Sequence, residues 1–195
     1  MAILTGSSRI HILTTNGMKP TGTSLSVWSE ESIACVKVAG RANFSASLTF
    51  KEVMQHLQDE GHDRVVVDLT DCPIMDSTFV GVLAGLRRRP HAMTNKNGHR
   101  DIEILNPNQR VTDLLDNLGI TNFFKIHTGA VLEHHTAPDF EEDTQTSISR
   151  RHELSETCLE AHRTLMELNE KNVSKFKDVT RFLEEEIRRS SPSSS

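Results

Sequence analysis

The sequence predicts an α/β domain in which a mixed β-sheet of about four to five strands packs against helices, followed by one long C-terminal α-helix. Strand-like and helix-like segments alternate between residues 24 and 127 in the order β-β-α-β-α-β-α-β. A run of β-branched residues at 64–69 is typical of a strand covered on both faces. Residues 149–189 contain neither Pro nor Gly and are dense in Glu, Leu, Lys and Arg, which favours an uninterrupted helix.

Shifts in composition divide the chain into segments of different character. We expect a flexible N-terminal tail at 1–22, the α/β domain at 23–128, an acidic linker at 129–148 and the long helix at 149–189. The Ser-rich residues 190–195 have too little apolar content to fold and are expected to be disordered.

The first half of the domain begins with a β-hairpin. Residues 24–28 and 32–39 alternate between the two faces of a strand and are separated by a short polar turn. Residues 9–13 form a candidate short strand in the tail. A helix follows over 44–60, where apolar side chains recur at helical spacing, and Gly61 ends it.

The second half of the domain is built around the central strand at 64–69. A loop containing Pro73 leads to a helix over 76–89 with small residues that allow close packing. A strand at 101–105 follows. Because crossover connections between parallel strands are right-handed, the helices lie against the sheet and the loop at 70–77 lies at one rim.

The end of the domain carries the last helix and strand. Pro107 is expected at the first position of the helix, where its missing N–H costs nothing, and Gly119 is expected to cap the other end. The final strand is expected at 123–127.

The C-terminal helix carries an apolar stripe. Leu154, Leu165, Phe176 and Ile187 are spaced by 11 residues, which keeps the stripe almost straight along a helix. A stripe of this length usually meets another long helix, so residues 149–189 are a candidate homo-oligomer surface. Packing on the domain of the same chain is the alternative.

Composition excludes several classes of function. A net charge of −5 argues against direct nucleic-acid binding, and no apolar run is long enough for membrane insertion. Cys35, Cys72 and Cys158 form no CxxC pair and are expected as free thiols of a cytoplasmic protein. The chain has no phosphate-binding Gly-rich motif and no nucleophile elbow, so we expect no cofactor and no catalytic residue, and hence a binding protein and not an enzyme. We also expect no metal site, because the candidate ligands Glu133, His134, His135 and Asp139 lie in the acidic linker and not on rigid elements.

The most informative stretch is a strand, a loop and then Asp76-Ser77 at a helix start. Taken alone, this pair is most often a simple helix cap. The dipole of the helix also favours negative charge in its first turn, so a phosphate on Ser77 would be tolerated by its own fold. Phosphorylation adds about −1.5 to −2 charges, and desolvating them costs a docked partner several kcal/mol. The combined context favours a phosphorylation switch.

This stretch resembles the signature of STAS domains, in particular of bacterial anti-sigma-factor antagonists. The family has a strand ending in Asp-Leu, a loop with an apolar-Met-Asp-Ser pattern, and a helix that begins with Ser or Thr and soon reaches a Gly. The matching residues are Asp68, Leu69, Ile74, Met75, Asp76, Ser77, Thr78, Gly81 and Leu83.

The resemblance implies a partner switch. In the family, an anti-sigma factor that is also a serine kinase phosphorylates the residue in the place of Ser77, and a PP2C-type phosphatase removes the phosphate. The unphosphorylated form binds the anti-sigma factor and frees the sigma factor. Thr78 is the alternate acceptor. The implied partner-binding residues are Asn43, Pro73, Met75, Asp76, Ser77, Thr78 and Phe79.

Two positions depart from the family pattern. Phe79 replaces a Gly that often follows the two hydroxyl residues, and Asn43 replaces an Asp. We therefore treat Phe79 as equally compatible with core and interface. Two other functions remain open: a scaffold subunit of a larger signalling complex assembled through the C-terminal helix, and an accessory subunit of a transport system, where STAS domains also occur.

Overall fold

The computed structural model describes residues 11–13, 23–30, 33–62, 64–88, 101–129 and 148–190, and it confirms the mixed α/β class. The strands are β1 (His11–Leu13), β2 (Ser24–Glu30), β3 (Ile33–Ala39), β4 (Arg41–Ala42), β5 (Arg64–Asp68), β6 (Ile74–Met75), β7 (Asp101–Leu105) and β8 (Lys125–His127). The helices are α1 (Phe44–Asp59), α2 (Ser77–Arg88), α3 (Gln109–Leu118), α4 (Ile148–Leu168) and α5 (Val173–Ser190).

The main sheet has the strand order β1-β2-β3-β5-β7-β8. The pairs β1-β2 and β2-β3 are antiparallel, and the remaining pairs are parallel. Val36, Val67 and Ile104 lie side by side across the three central strands and are fully buried, as the β-branched run predicts. The sheet has six strands because the candidate strand in the tail pairs with β2.

The sequence does not predict the second, two-stranded sheet. In it, β4 and β6 are parallel, with Arg41 opposite Ile74 and Ala42 opposite Met75. Strands of two residues are too short to show a periodic pattern. Their pairing places the residue before α1 and the residue before α2 side by side, and it therefore positions the candidate site.

The predicted start of α3 is wrong by two residues. Asn108 is the N-cap, with its Oδ1 accepting from the Val111 N–H at 3.1 Å, and Pro107 lies outside the helix. Asn108 also donates from its side-chain nitrogen to the Cys72 carbonyl at 2.7 Å, which fixes the loop before β6. The Asn108 side chain both caps α3 and binds the Cys72 carbonyl, and these two bonds outweigh the preference of Pro for the first helical position. At the other end, Gly119 adopts a φ of 68° and caps the helix as predicted.

The C-terminal segment is helical, as predicted, and begins with the long helix α4, but it is two helices instead of one. A short 3₁₀ turn at Glu170–Asn172 separates α4 from α5. Asn172 is fully buried and donates to the carbonyls of Leu118 at 2.9 Å and Leu165 at 3.0 Å. The bonds that Asn172 makes to Leu118 of the α/β domain and to Leu165 of α4 replace continuous helix. Since no Gly or Pro marks the break, the sequence does not signal it.

The two helices form an antiparallel pair, which we call the C-terminal hairpin (residues 148–190). His152 contacts Ser190 and Arg163 contacts Glu184, so early positions of α4 meet late positions of α5. The hairpin packs on its own α/β domain through α4, and Leu165 is fully buried in the main core. This corrects the prediction of one straight stripe along a single helix.

The closest approach of α4 to the domain is at Gly81 of α2. A Cβ atom at this position would lie 2.5 Å from the carbonyl oxygen of Ala161, whereas one at Gly85 would lie 3.6 Å from the Thr164 hydroxyl, an ordinary contact. The small residues of α2, which were predicted to allow close packing, therefore pack against α4.

The remaining expectations concern the N-terminal tail, the linker and the last residues, which lie mostly outside the described residues. This applies to the flexibility of the tail at 1–22, of the acidic linker at 129–148 and of the last residues at 190–195, and these stay predictions.

Replacing Asn172 by Ala is expected to lower the free energy of unfolding by about 1 to 2 kcal/mol, because two buried hydrogen bonds are lost, although both carbonyls keep a donor from Asn169. Urea unfolding of the purified protein measures this change. Asn117→Ala, at an exposed position of α3, is the matched control and should stay within about 0.5 kcal/mol of the wild type. Equal stabilities of the two variants would contradict the role given to Asn172.

Candidate functional site

The centre of the candidate site is the carboxylate of Asp76. The backbone N–H of Asp76 donates to the Ala42 carbonyl at 2.9 Å, which extends the pairing of β4 with β6. Its Oδ1 then accepts from the Phe79 N–H at 2.9 Å and its Oδ2 from the Phe44 N–H at 2.7 Å. One carboxylate therefore caps α1 and α2 together, which the sequence predicts only for α2.

Asn43 completes this arrangement. It is the N-cap of α1, and its Oδ1 accepts from the Ala46 N–H at 3.1 Å. Capping needs an acceptor oxygen but no charge, so the amide that departs from the family pattern serves this structural role in full. The structure brings Asn43, Asp76 and Ser77 together where two helix N-termini converge, and two such termini favour negative charge nearby.

Ser77 is the first residue of α2 and is half-buried. Its Oγ lies 3.2 Å from Nε2 of His162 on α4. His162 is only 6% exposed, and its ring lies 4.7 Å from that of Phe176. Burial lowers the pKa of His162 from its ordinary value of 6.5, although the negative charge of Asp76 opposes the shift. Ser77 therefore faces a neutral imidazole at neutral pH.

Sequence reasoning missed His162 because it is 85 residues away from Ser77 in the chain. Its position on α4 is visible only once the C-terminal hairpin is seen to fold back on α2. A lone His within a polar helical pattern carries no signal of such a contact.

Thr78, the alternate phosphate acceptor, lies beneath α4. It is 6% exposed, and its hydroxyl lies beside the thiol of Cys158. Burial raises the pKa of Cys158, and the contact with Thr78 opposes the rise. Thr78 is therefore much less accessible than a surface hydroxyl. All three cysteines are free thiols, as predicted, and are buried.

The structure places Phe79 in the core, which is one of the two positions that the sequence left open for it. Phe79 is 0% exposed, and its ring centroid lies 4.6 Å from that of Phe50 on α1. The Phe79 ring fills the space between α1 and α2 beside the cap that the two helices share. Phe79 is a core residue that joins the two helices.

The rim beside Ser77 is partly apolar. Pro73 is exposed, Ile74 is 39% exposed and Phe44 is 47% exposed, whereas Met75 is buried beneath them. Pro73 and Met75 were predicted from the sequence as contact residues. The exposure of Phe44 and Ile74 was not predicted, because these two apolar residues fit the pattern of a core. Exposed large apolar side chains beside one another are a feature of protein-binding surfaces.

The site contains no oriented acid–base chain. Both oxygens of Asp76 accept backbone N–H groups of helix termini, so this carboxylate does not orient His162 as a catalytic triad would require. Within the part of the chain that the structure describes, no group of His, Cys, Asp or Glu could hold a metal ion. What the arrangement offers is a hydroxyl at a helix N-terminus beside an apolar rim.

Comparison with known families decides the identity of the fold. The model of the STAS domain matches residues 25–134, which is more than half of the chain. The chain belongs to the STAS domain family. The match includes β2 to β8, the whole rim and Ser77, and it ends before the C-terminal hairpin.

Solved structures of similar fold are anti-sigma-factor antagonists. The one from Mycobacterium paratuberculosis is 13% identical, with a TM-score of 0.48, and the similarity covers 56% of this chain and 88% of that chain. SpoIIAA in its unphosphorylated form is 14% identical (TM-score 0.46, 54% and 88% covered), and Bacillus SpoIIAA in the phosphorylated form is 13% identical (TM-score 0.43, 56% and 92% covered). No curated protein matches the sequence. Among the described residues of this STAS protein, no helix is long and apolar enough to cross a membrane.

Replacing Asp76 by Ala is expected to lower the free energy of unfolding by about 2 to 3 kcal/mol, because two helices lose a cap at once. Asn43→Ala removes the cap of α1 alone and should cost about 1 kcal/mol. Chemical denaturation of both variants compares these costs. If the two substitutions cost the same, Asp76 is not the shared cap described here.

The stability of the STAS protein is expected to fall when the pH drops below about 6.5, because folding lowers the pKa of His162 and the unfolded chain then binds more protons. The contribution is fully present above that pH and is lost as the pH falls towards the folded-state pKa. Thermal unfolding between about pH 7.5 and about pH 5 measures the slope.

His162→Gln should flatten this pH dependence, since it removes the titrating group. Asn117→Ala, at an exposed position of α3, removes no titrating group, so it is the control and should leave the slope as it is in the wild type. An unchanged slope in the His162 variant would show that other groups control the acid transition.

Proposed function

We propose that this STAS protein is a phosphorylation-switched, protein-binding regulator of the anti-sigma-factor-antagonist type, acting in the cytoplasm. In this function the unphosphorylated protein sequesters an anti-sigma factor that is also a serine kinase. Phosphorylation of Ser77 ends the complex, and a PP2C-type phosphatase restores it. The observation that carries the proposal is the position of Ser77, at the first residue of α2 beside the apolar rim.

The geometry supports a charge switch at this position. Two helix N-termini converge at Asp76 and Asn43, so the fold itself favours negative charge there. A phosphate would add about −1.5 to −2 charges next to the Asp76 carboxylate. A partner that covers the apolar side chains of Phe44 and Ile74 would have to desolvate these charges. Unless the partner supplied cations, this would cost several kcal/mol and weaken binding by orders of magnitude.

The contacts of Thr78 support Ser77 as the acceptor. Thr78 is buried against Cys158, whereas Ser77 is half-buried at the end of the helix. A kinase needs to reach the hydroxyl with its own active site, and Ser77 is the more accessible of the two.

A specific observation favours one second function, that of a scaffold subunit. The outer face of α5 carries Val179, which is 37% exposed, and Phe182, which is 63% exposed. These side chains point away from the contact of the C-terminal hairpin with α2. They would serve assembly of a homo-oligomer or of a larger signalling complex through residues 149–189.

The protein purified from its native cells is expected to carry one phosphate on Ser77 that phosphatase treatment removes. Intact and peptide mass spectrometry measure it. Ser77→Ala should abolish the modification, whereas Thr78→Val and Ser45→Ala, the latter at an exposed position in the first turn of α1, should retain it.

Capture of partners on variant baits separates the phosphorylation switch from the scaffold function. With Ser77→Ala and Ser77→Asp as baits, the Asp variant should recover at least tenfold less of a partner that mass spectrometry identifies as a serine kinase, which corresponds to about 1.4 kcal/mol or more. Unmodified protein under all growth conditions, together with equal recovery on the two baits, would reject the switch and favour the scaffold function.

A further inference from the structure

We propose that the C-terminal hairpin is an intramolecular cover of the Ser77 end of α2, and that it must leave α2 before Ser77 is phosphorylated or a partner docks there. The inference rests on the proposed function, in which Ser77 is the switch. It adds a segment of the same chain that competes with the partner for the surface around Ser77.

The cover is formed by α4, which runs parallel to α2 over its length. Thr78 meets Cys158 near the start, Gly81 meets Ala161 in the middle, and Arg88 binds Glu167 at 2.7 Å near the end. The two helices approach closely at Gly81 because a Cβ atom there would collide with the backbone of Ala161. Since α4 occupies this face of α2, another protein cannot pack on the same face at the same time.

The contact of Ser77 with His162 disfavours a phosphate. The Oγ atom of Ser77 lies 3.2 Å from Nε2 of His162, so a phosphate on Ser77 would place its added charge and oxygens beside this imidazole. His162 is almost fully buried between α2 and the ring of Phe176, and burial lowers its pKa. Phosphorylation of Ser77 and docking of α4 would therefore oppose each other.

The hairpin is held on the domain by exposed and by buried contacts. Its salt bridges to the domain, Lys51 with Glu160 at 2.6 Å and Arg88 with Glu167, involve glutamates that are 48% and 61% exposed, and such surface pairs contribute little. A groove of about 900 Å³ lies between α1, α2 and α4, and charged side chains line much of it. Ala161 and Leu165 lie in the main core, Phe176 packs against that core, and Asn172 donates to the Leu118 carbonyl. Release is an opening of the hairpin that breaks these contacts while the sheet stays folded.

The three cysteines provide internal reporters of release. Cys158 is on α4, faces Thr78 and is 8% exposed, whereas Cys35 and Cys72 lie in the α/β domain and are 7% and 1% exposed. Burial raises the pKa of each thiol, so all three react slowly with alkylating reagents in the docked state. Release of the hairpin removes the cover that α2 gives to Cys158, although Leu183 of α5 still packs beside this thiol. Cys35 and Cys72 stay buried in that case, and global unfolding exposes all three.

The decisive experiment uses the full chain with phosphoserine incorporated at position 77 during synthesis. Iodoacetamide labelling of each cysteine is followed by peptide mass spectrometry. Cys158 should label at least tenfold faster than in the unmodified protein, with Cys35 and Cys72 unchanged. Phosphoserine at position 45, at an exposed site in the first turn of α1, is the matched control and should change nothing.

A steric variant tests the same contact without a phosphate. Gly81→Ala should raise the labelling rate of Cys158 severalfold, because its Cβ atom pushes against Ala161, whereas Gly85→Ala, one turn along the same helix, has room and should not. Unchanged or slower labelling of Cys158 with phosphoserine at 77 overturns the proposal. An equal rise at all three cysteines in the phosphoserine protein or in Gly81→Ala also overturns it, since the hairpin would then be an inseparable part of the fold.

The outcomes separate this inference from the proposed function. A native phosphate on Ser77 that leaves the labelling of Cys158 unchanged would reject the cover but keep the switch. Release of Cys158 by phosphoserine, in a protein that never carries phosphate in its cells, would reject the switch but keep the cover as a property of the fold.

Discussion

The two hydrogen bonds of the Asp76 carboxylate are the constraint on which the candidate site depends. They hold the first turns of α1 and α2 at one point, and the pairing of β4 with β6 holds that point against the rim of the sheet. Because the helices start together, the Phe79 side chain has to lie between them, against Phe50. The position of Ser77, the direction of α2 and therefore the seat of α4 all follow from this shared cap.

Periodic patterns were sufficient to predict the α/β domain. The β-branched run at 64–69 lies at the centre of the sheet, as expected for a strand covered on both faces, and the predicted strand at 101–105 pairs beside it. The cap at Gly119 was predicted because a positive φ strongly favours Gly, and no tertiary contact competes with that preference. The strand-loop-helix motif likewise placed Asp76 and Ser77 correctly at the start of α2, since its signal is local in sequence.

The features that sequence reasoning missed depend on contacts between distant segments. The break at Asn172 is made by carbonyls of Leu118 and Leu165, and no local signal marks it. The contact of His162 with Ser77 exists only because the hairpin folds back. Phe79 could have been at the surface or in the core, and its burial is decided by the angle between two helices that the sequence does not specify. The two-residue strands β4 and β6 are too short for any pattern.

Because the C-terminal hairpin and α2 belong to the same chain, the competition between the hairpin and a partner does not depend on the amount of this protein in the cell. A segment joined to its own binding face is present at an effective concentration that chain connectivity fixes and that does not depend on how much protein a cell makes. Any partner that takes the same face of α2 competes against this constant. The partner concentration needed for binding is then set by the chain itself. A change in expression level alters how many molecules bind the partner, but not the partner concentration at which each molecule binds.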